Sequence, residues 1–277
     1  MAAAPDLDHV ALALAGPGPF RSMFAGDLAG RWVGGAETLG GFAFSQLRFA
    51  NGMKLEGIVP SAAAGGGSGG ANDFLVRFLA GAGPGPHHLT FKVADLEAAL
   101  EQARAVGYRP MAVDLDGEHW KEAFLHPGEA SGIVVQLAWS AGDLETAPPA
   151  ELPAPRVDRP AELAHITHAV ADLEAALRLF KGLLGGVTVD AGAGGRLGWV
   201  DLAWAGPGRV RLLAGDPVRS WVGERPGRLH HLAFRVEDPA GVAGSVAGDG
   251  WWQVPPAPPL GTRLVLAERD APLPLGL

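Results

Sequence analysis

A strand-like segment with histidine in its second position occurs four times in this chain of 277 residues. The copies begin at Asp8, His87, Ala164 and His230, and apolar residues alternate after each histidine, as they do in a half-buried strand. An internal repeat constrains architecture more strongly than local propensity does, because every copy must bury its apolar face in the same way. The chain is therefore predicted to consist of four copies of one structural unit.

The remainder of each unit is predicted to hold one helix and two or three more strands. After the last three copies, Asp95, Asp172 and Asp238 are placed to cap a helix, and residues 94–100 recur unchanged as residues 171–177. Strand-like runs then follow at 41–49, 53–59, 122–125, 133–139, 196–203, 210–214 and 263–267. The fourth unit is short and is predicted to lack one strand. The predicted fold class is α+β, with four tandem βαβββ modules.

A proline-rich segment divides the four units into two pairs. Residues 141–160 contain five prolines among scattered charges, a composition that disfavours both helix and sheet. We interpret this segment as a linker between a domain at residues 1–140 and a second domain at residues 161–277.

The bulk composition excludes several classes of partner. The net charge is −8 and no cluster of lysine and arginine stands out, which argues against nucleic acid and anionic membranes. The chain has no cysteine, so a metal could be held only by imidazole, carboxylate or amide groups. The start of the sequence resembles no secretory signal, and no apolar run reaches the length of a membrane span. We expect a cytoplasmic protein, monomeric or homodimeric, that binds a small molecule.

Four polar residues recur at matched spacing within the first two units. Glu56 follows His9 by 47 residues, Gln136 follows His88 by 48, and both Glu56 and Gln136 lie in otherwise apolar strands. Burying such a residue alone is costly, so each should face a partner. If two units pair into one cupped sheet, these four side chains converge. Two imidazoles, a carboxylate and an amide oxygen suit one divalent ion of zinc, nickel, cobalt, manganese or iron.

His87 is the alternative ligand to His88 in the second unit. Adjacent residues on a strand point to opposite faces of the sheet, so only one of the two can face the predicted site. His88 shares the repeat position of His9 and His231, and for this reason we assign it as the ligand.

The first half of the chain resembles the vicinal oxygen chelate superfamily, which includes glyoxalases, bleomycin-resistance proteins and extradiol dioxygenases. Within that superfamily it is most similar to methylmalonyl-CoA epimerases. The resemblance is carried by residues 7–10 (LDHV), 56–60 (EGIVP), 74–79 (FLVRFL), 85–91 (GPHHLTF), 123–127 (AFLHP) and 132–137 (GIVVQL).

The resemblance implies two glyoxalase-like domains with cupped sheets and an enzyme that binds substrate oxygens at a divalent metal. Two positions depart from the epimerase pattern. Gln136 stands where the epimerases have a glutamate implicated in moving a proton, and Gly128 replaces a lysine. An amide can donate an oxygen ligand but cannot act as a base. The departures leave the metal site in place and argue against epimerase activity itself.

The second half resembles the same superfamily less closely. His165 and His231 occupy ligand positions, but the matching closing-strand positions hold Arg211 and Val265. A cation in a ligand position repels a divalent ion, so this half is predicted to be a degenerate copy without metal. Arg211 is predicted to contact an anionic substrate or, alternatively, to pair with an acid.

Further candidate residues follow from residue type and position. Glu37 is the predicted catalytic base, with Glu118 and Glu122 as further candidates, although carboxylates in loops and at strand edges are most often solvated. His126 begins a His-Pro turn and is interpreted as a substrate contact or as a structural residue.

Three functions are compatible with these features. The first is a metal-dependent isomerase, epimerase or lyase acting on a small enolisable substrate. The second is a bleomycin-resistance-like protein that sequesters a small molecule without catalysis and needs no metal. The third is an extradiol-type dioxygenase, since two histidines and one glutamate can hold Fe²⁺. Metal content separates the second function from the other two.

Overall fold

The computed structural model describes residues 4–39, 41–61, 73–142, 145–248 and 250–276. Its strands are β1 (Asp6–Ala13), β2 (Arg31–Leu39), β3 (Phe42–Arg48), β4 (Lys54–Pro60), β5 (Gly85–Lys92), β6 (Met111–Asp114), β7 (Trp120–Leu125), β8 (Val134–Ser140), β9 (Glu162–Val170), β10 (Val187–Gly194), β11 (Leu197–Ala203), β12 (Arg209–Gly215), β13 (Gly227–Val236), β14 (Val246–Ala247), β15 (Trp252–Val254) and β16 (Leu264–Glu268). The helices are α1 (Pro17–Phe20), α2 (Asp73–Ala82), α3 (Leu96–Ala105), α4 (Leu173–Leu177) and α5 (Asp216–Val222). Two π-helical segments, Arg21–Asp27 and Arg178–Leu183, continue α1 and α4.

The strands form two sheets of eight strands each, and the two sheets share one topology. The first sheet has the order β2-β3-β4-β1-β5-β8-β7-β6, and the second has the order β10-β11-β12-β9-β13-β16-β15-β14. Each order is generated by two four-stranded modules placed side by side. The α+β fold of four tandem modules is therefore confirmed.

Helices α3 and α4 begin directly after two of the repeated acidic residues, as predicted. Asp95 accepts a hydrogen bond from the Ala98 backbone N–H at 3.0 Å, and Asp172 accepts one from Ala175 at 3.0 Å. Both are N-cap contacts that satisfy a donor of the first helical turn.

The fourth unit differs from the prediction. It keeps all its strands, although β14 and β15 have only two and three residues, and it lacks the helix instead. Asp238 accepts a hydrogen bond from the Ala240 N–H at 3.0 Å within a turn. Gly241 and Gly244, the latter at φ +76°, follow at once and favour turns over helix. The expectation that this unit has lost a strand was wrong.

Strand β4 shows how the first sheet presents the candidate ligand Glu56. Next to it in sequence, Gly57 faces the opposite side, where an added Cβ would lie 2.8 Å from the Phe20 ring. Phe20 is fully buried on α1. The helix thus packs against the back of the strand, and the glycine is needed for that close approach.

The chain folds into two compact units, each of which draws on both halves of the sequence. In the unit made of Met1–His9, His88–Asp143 and His165–His230, Phe91 packs against Phe180 and Trp204 with ring centroids 6.5 and 5.3 Å away.

In the other unit, made of Val10–His87, Leu144–Ala164 and His231–Leu277, the ring of Phe234 lies 6.1 Å from that of Phe24 and 5.1 Å from that of Phe49. Aromatic contacts of this kind fill the core of each unit.

The predicted linker has no helix or strand among its described residues, and it is anchored by polar contacts. The backbone carbonyl oxygen of Thr146 accepts a hydrogen bond from the Trp32 indole at 2.9 Å, and Arg156 pairs with the buried Asp27. The domain boundaries at residues 140 and 161 stay a prediction. Across the described residues, no helix combines the length and the apolar character that crossing a membrane requires.

Candidate metal centre

His9 on β1, Glu56 on β4 and His88 on β5 come together in the first sheet. Each offers one ligand atom, and these atoms all lie within 4.8 Å of one another. Both histidines are buried, and their rings meet edge to face with centroids 5.9 Å apart. Two imidazoles and a carboxylate at this separation form a donor set that fits one divalent ion.

The two ring nitrogens of His9 have different surroundings. Nδ1 lies 2.7 Å from the Asp8 carboxylate, and Nε2 lies 2.9 Å from the hydroxyl of Thr90, which is fully buried. A carboxylate on one ring nitrogen fixes the ring orientation and tautomer and leaves the other nitrogen as the ligand atom. Neither Asp8 nor Thr90 was identified from the sequence. The acidic residue directly before the ligand histidine was the available signal for Asp8.

Gln136 joins the same group through Thr90, its partner in the parallel pairing of β5 with β8. The Thr90 hydroxyl donates to Gln136 Oε1 at 2.5 Å, and Gln136 Nε2 donates to Glu122 at 2.6 Å. A carboxylate can only accept hydrogen bonds, so Glu122 fixes which end of the amide it faces. The amide oxygen is therefore turned away from Glu122 and toward Thr90 and His9.

Glu122 is the carboxylate that the structure connects to this group. It is half-buried on β7 and also accepts a hydrogen bond from the Trp120 indole at 2.7 Å. The ammonium group of Lys92 lies 3.7 Å from the centre of the Trp120 ring, a cation–π contact. The sequence alone placed Glu122 among three candidate bases without distinguishing it.

The other predicted residues lie elsewhere. Glu37 is on β2, but its side chain falls outside the described part of the chain. Glu118 is exposed in a bend before β7. His126 is exposed, and its Nδ1 accepts a hydrogen bond from the Gly128 N–H at 3.1 Å, which closes the His-Pro turn. The roles predicted for Glu37 and His126 stay predictions.

His87, the alternative ligand, packs against α2. Its ring centroid is 4.8 Å from that of Phe78 and 5.5 Å from that of Phe74. Burial lowers the pKa of His87 to about 4, partly offset by the charge of Glu56. The neutral ring thus serves the apolar contact between strand and helix, while His88 joins the ligand cluster.

In the second sheet, the position that corresponds to Glu56 is occupied by Arg211. The Arg211 guanidinium forms two hydrogen bonds of 2.7 Å to the carboxylate of Asp201, its cross-strand partner on β11. Asp201 thus satisfies the acid-pairing alternative, and a substrate role for Arg211 stays a prediction. The described residues contain no second cluster of three histidine, aspartate or glutamate ligands.

One family of known proteins matches the second half of the chain by sequence. The sequence model of the Glyoxalase/Bleomycin resistance protein/Dioxygenase superfamily matches residues 164–262. The resemblance to the glyoxalase superfamily is confirmed. The match falls in the half of the chain that has Arg211 at the position corresponding to Glu56. No curated protein matches the chain by sequence.

Two solved structures resemble the fold of most of the chain. A triple mutant of 4-hydroxymandelate synthase from Streptomyces coelicolor aligns with 95% of this chain and 92% of its own, at 14% identity and a TM-score of 0.62. A xylose isomerase-like TIM barrel/4-hydroxyphenylpyruvate dioxygenase fusion protein aligns with 86% of this chain at 18% identity and a TM-score of 0.56. The chain spans only 37% of that fusion protein. At these identities the likeness establishes the fold.

A methylmalonyl-CoA epimerase from Mycobacterium tuberculosis covers half of the chain at 23% identity. Its TM-score of 0.40 is too low to support an argument about this chain.

Proposed function

We propose that this chain is a metal-dependent enzyme that moves a proton on a small oxygen-bearing substrate, as an isomerase or lyase does. The observation that carries the proposal is the meeting of His9, Glu56 and His88 within 4.8 Å of one another. Two imidazole nitrogens and one carboxylate oxygen at this separation are a donor set that can bind one divalent ion together.

The surroundings of the cluster fit a resident divalent ion. His9, Glu56 and His88 would hold it, with the Gln136 amide oxygen as a fourth ligand. The Asp8 carboxylate on His9 Nδ1 is the contact that metal-binding histidines commonly make. When bound, the ion would act as a Lewis acid that polarises a substrate oxygen and stabilises negative charge developing there.

Glu122 is the proposed proton acceptor of the reaction. Gln136 cannot take a proton, but its amide donates to the Glu122 carboxylate at 2.6 Å, and the Trp120 indole donates to the same carboxylate oxygen at 2.7 Å. Two donors on one oxygen hold the carboxylate in place and leave its other oxygen to accept a proton from the substrate. The proposed base thus lies on β7, the strand that pairs with the strand of Gln136.

A second candidate is an oxidative reaction at Fe²⁺. Two histidines and one carboxylate are also the ligand set of non-haem iron oxygenases. The short contact from Thr90 to the Gln136 amide oxygen favours a set of three ligands. Two of the structurally similar proteins are named as a 4-hydroxymandelate synthase and a 4-hydroxyphenylpyruvate dioxygenase fusion.

The first experiment measures metal content. The chain, purified without a histidine tag, is expected to hold about one divalent ion by elemental mass spectrometry. His88→Ala is expected to lose the ion, because the variant lacks one of the two imidazole ligands. His119→Ala is the matched control, since His119 is exposed and outside the cluster. A chain that stays metal-free after incubation with Zn²⁺, Ni²⁺, Co²⁺, Mn²⁺ and Fe²⁺ contradicts the enzyme proposal and favours a sequestering protein.

The second experiment measures proton transfer. A panel of 2-oxo acids and acyl thioesters is incubated with the metal-loaded chain in D₂O, and NMR follows loss of the α-proton. We expect Glu122→Gln to retain the ion and to exchange about 10²–10⁴-fold more slowly, the range for loss of a general base. Glu118→Gln is the control. Oxygen uptake by the Fe²⁺-loaded chain without deuterium incorporation would support the oxidative candidate instead.

A further inference from the structure

The last turn of α5 exposes a tryptophan beside two arginines. Trp221 is 40% exposed, and the Arg228 guanidinium lies 5.0 Å from the centre of its ring. The ring of His230 meets the indole edge to face, with centroids 4.7 Å apart. Arg225 and Arg228 are both exposed in the segment that leads from α5 into β13. We call Trp221, Arg225 and Arg228 the Trp-Arg patch.

The internal repeat contains a copy of this contact without the arginines. The residues at the same positions in the first half of the chain are Phe78, Ala82 and Gly85. The Phe78 ring packs against His87 with centroids 4.8 Å apart, nearly the same distance as in the Trp-Arg patch. Aromatic packing against the histidine therefore requires no cation nearby, and it does not account for the two arginines.

The two cations of the patch lie near each other without an acidic partner. In the part of the chain that the structure describes, neither Arg225 nor Arg228 forms an ion pair with a carboxylate, whereas Arg196 and Arg219 both pair with Asp216. Partial burial lowers the pKa of Arg228, and the charge of Arg225 lowers it further. Because like charges repel, an anion that contacts both guanidinium groups would be stabilised at this position.

The backbone between the two arginines is held in place. The Pro226 carbonyl oxygen accepts a hydrogen bond from the Ala171 N–H at 3.0 Å. Gly227 is buried, and an added Cβ would lie 2.2 Å from the Ser131 carbonyl oxygen and 2.8 Å from that of Ala169. A segment fixed at two successive residues loses little conformational freedom when its side chains bind a ligand.

We propose that the Trp-Arg patch is a binding site for a nucleoside phosphate. Two guanidinium groups offer several N–H donors in the planar arrangement that phosphate oxygens accept. The accessible part of the indole offers an aromatic surface on which a base can stack. The residues of the patch are separate from the ligands of the candidate metal centre, and the proposal does not depend on the function proposed above.

Isothermal titration calorimetry with ADP tests the proposal, in the presence of EDTA so that phosphate cannot bind through a metal ion. The full chain is expected to bind one ADP, and to bind inorganic phosphate and adenosine more weakly, because each occupies only part of the patch. Arg225→Gln and Arg228→Gln are each expected to weaken ADP binding about 10-fold, as expected for loss of a charge-assisted hydrogen bond. Arg104→Gln, at an exposed arginine outside the patch, is the matched control.

Two further variants separate stacking from charge and the patch from the metal centre. Trp221→Leu should bind inorganic phosphate as the full chain does but lose the preference for ADP over phosphate. His88→Ala should bind ADP as tightly as the full chain. Far-UV circular dichroism checks that each variant is folded. The proposal is overturned if the full chain does not bind ADP, if both arginine variants bind it unchanged, or if Arg104→Gln weakens binding equally.

Discussion

At the scale of single residues, the candidate metal centre depends on how His9 is oriented. Its Nδ1 faces Asp8 at 2.7 Å, which leaves Nε2 for the cluster with Glu56 and His88. The carboxylate also makes the ring a stronger donor, because the partial negative charge it confers favours a cation on the far nitrogen.

Replacement of Asp8 by asparagine is therefore expected to weaken the metal site without removing a ligand. The amide oxygen of the new side chain would still accept from Nδ1 but carries no charge, and loss of such a partner typically costs about 10–100-fold in metal affinity. Competition with a chromophoric chelator measures the affinity, and Asp158→Asn at an exposed position is the control. An affinity for metal equal to that of the unchanged chain would show that Asp8 does not support the ligand.

The sequence repeat predicts candidate site residues at repeated positions. It does not predict residues of the site that lie at other positions. His9, His88, Glu56 and Gln136 are predicted because nearly the same spacing, 47 and 48 residues, occurs twice. Thr90 does not take part in this repeated spacing, and in sequence it is simply a polar residue on an apolar strand. The pairing of β5 with β8 places it beside Gln136. The hydrogen bonds that fix the amide orientation depend on side-chain packing, which spacing alone does not determine.

At the scale of elements, the repeat predicted the central strands well and the outer ones poorly. β4, β8 and β12 lie inside their sheets, and most of their residues are buried. β6 and β10 lie at sheet edges with exposed residues, so their sequences have no apolar alternation to detect. The fourth module lost its helix rather than a strand, because Gly241 and Gly244 disrupt a helix locally while strand pairing with β13 retains β16.

The contact between α1 and β4 gives a prediction at this scale. Gly57→Ala would place a methyl group 2.8 Å from the buried Phe20 ring, and overpacking of this kind costs about 1–3 kcal/mol of stability. Gly18→Ala is the matched control, because Gly18 lies on α1 with nothing within 4 Å of an added Cβ. Urea unfolding followed by circular dichroism measures both. Equal stability of the two variants would mean that the helix moves away freely, and that it does not define the position of the strand carrying Glu56.

At the scale of the whole molecule, the order of the modules in sequence differs from their grouping into compact units. The second and third modules share one unit, and the first and fourth share the other. The repeat predicted four modules and two sheets, but it could not predict this grouping, because equivalent modules carry equivalent apolar patterns. Contacts between side chains that are not repeated show the grouping of the modules. One of them joins the second and third modules: His168 Nε2 lies 2.8 Å from the Ser131 carbonyl oxygen.

His168 makes the stability of the molecule sensitive to pH. The side chain is fully buried, and burial lowers the pKa of His168 to about 4, although the hydrogen bond to Ser131 partly opposes the shift. In the unfolded chain the same group titrates near pH 6.5. Between these values the unfolded state binds more protons, so the contribution is fully present above pH 6.5 and is lost as pH falls toward 4. The shift corresponds to about 3 kcal/mol.

His168→Gln keeps a donor for the Ser131 carbonyl oxygen but cannot be charged. The variant is expected to lose less stability than the unchanged chain when pH falls from about 7 to about 4.5, measured as the change in urea midpoint. The loss should shrink without vanishing, because burial also lowers the pKa of His87 to about 4. His119→Gln, at an exposed position, should leave the pH dependence unchanged. If His168→Gln shows the same pH dependence as the unchanged chain, the buried imidazole does not couple protonation to unfolding.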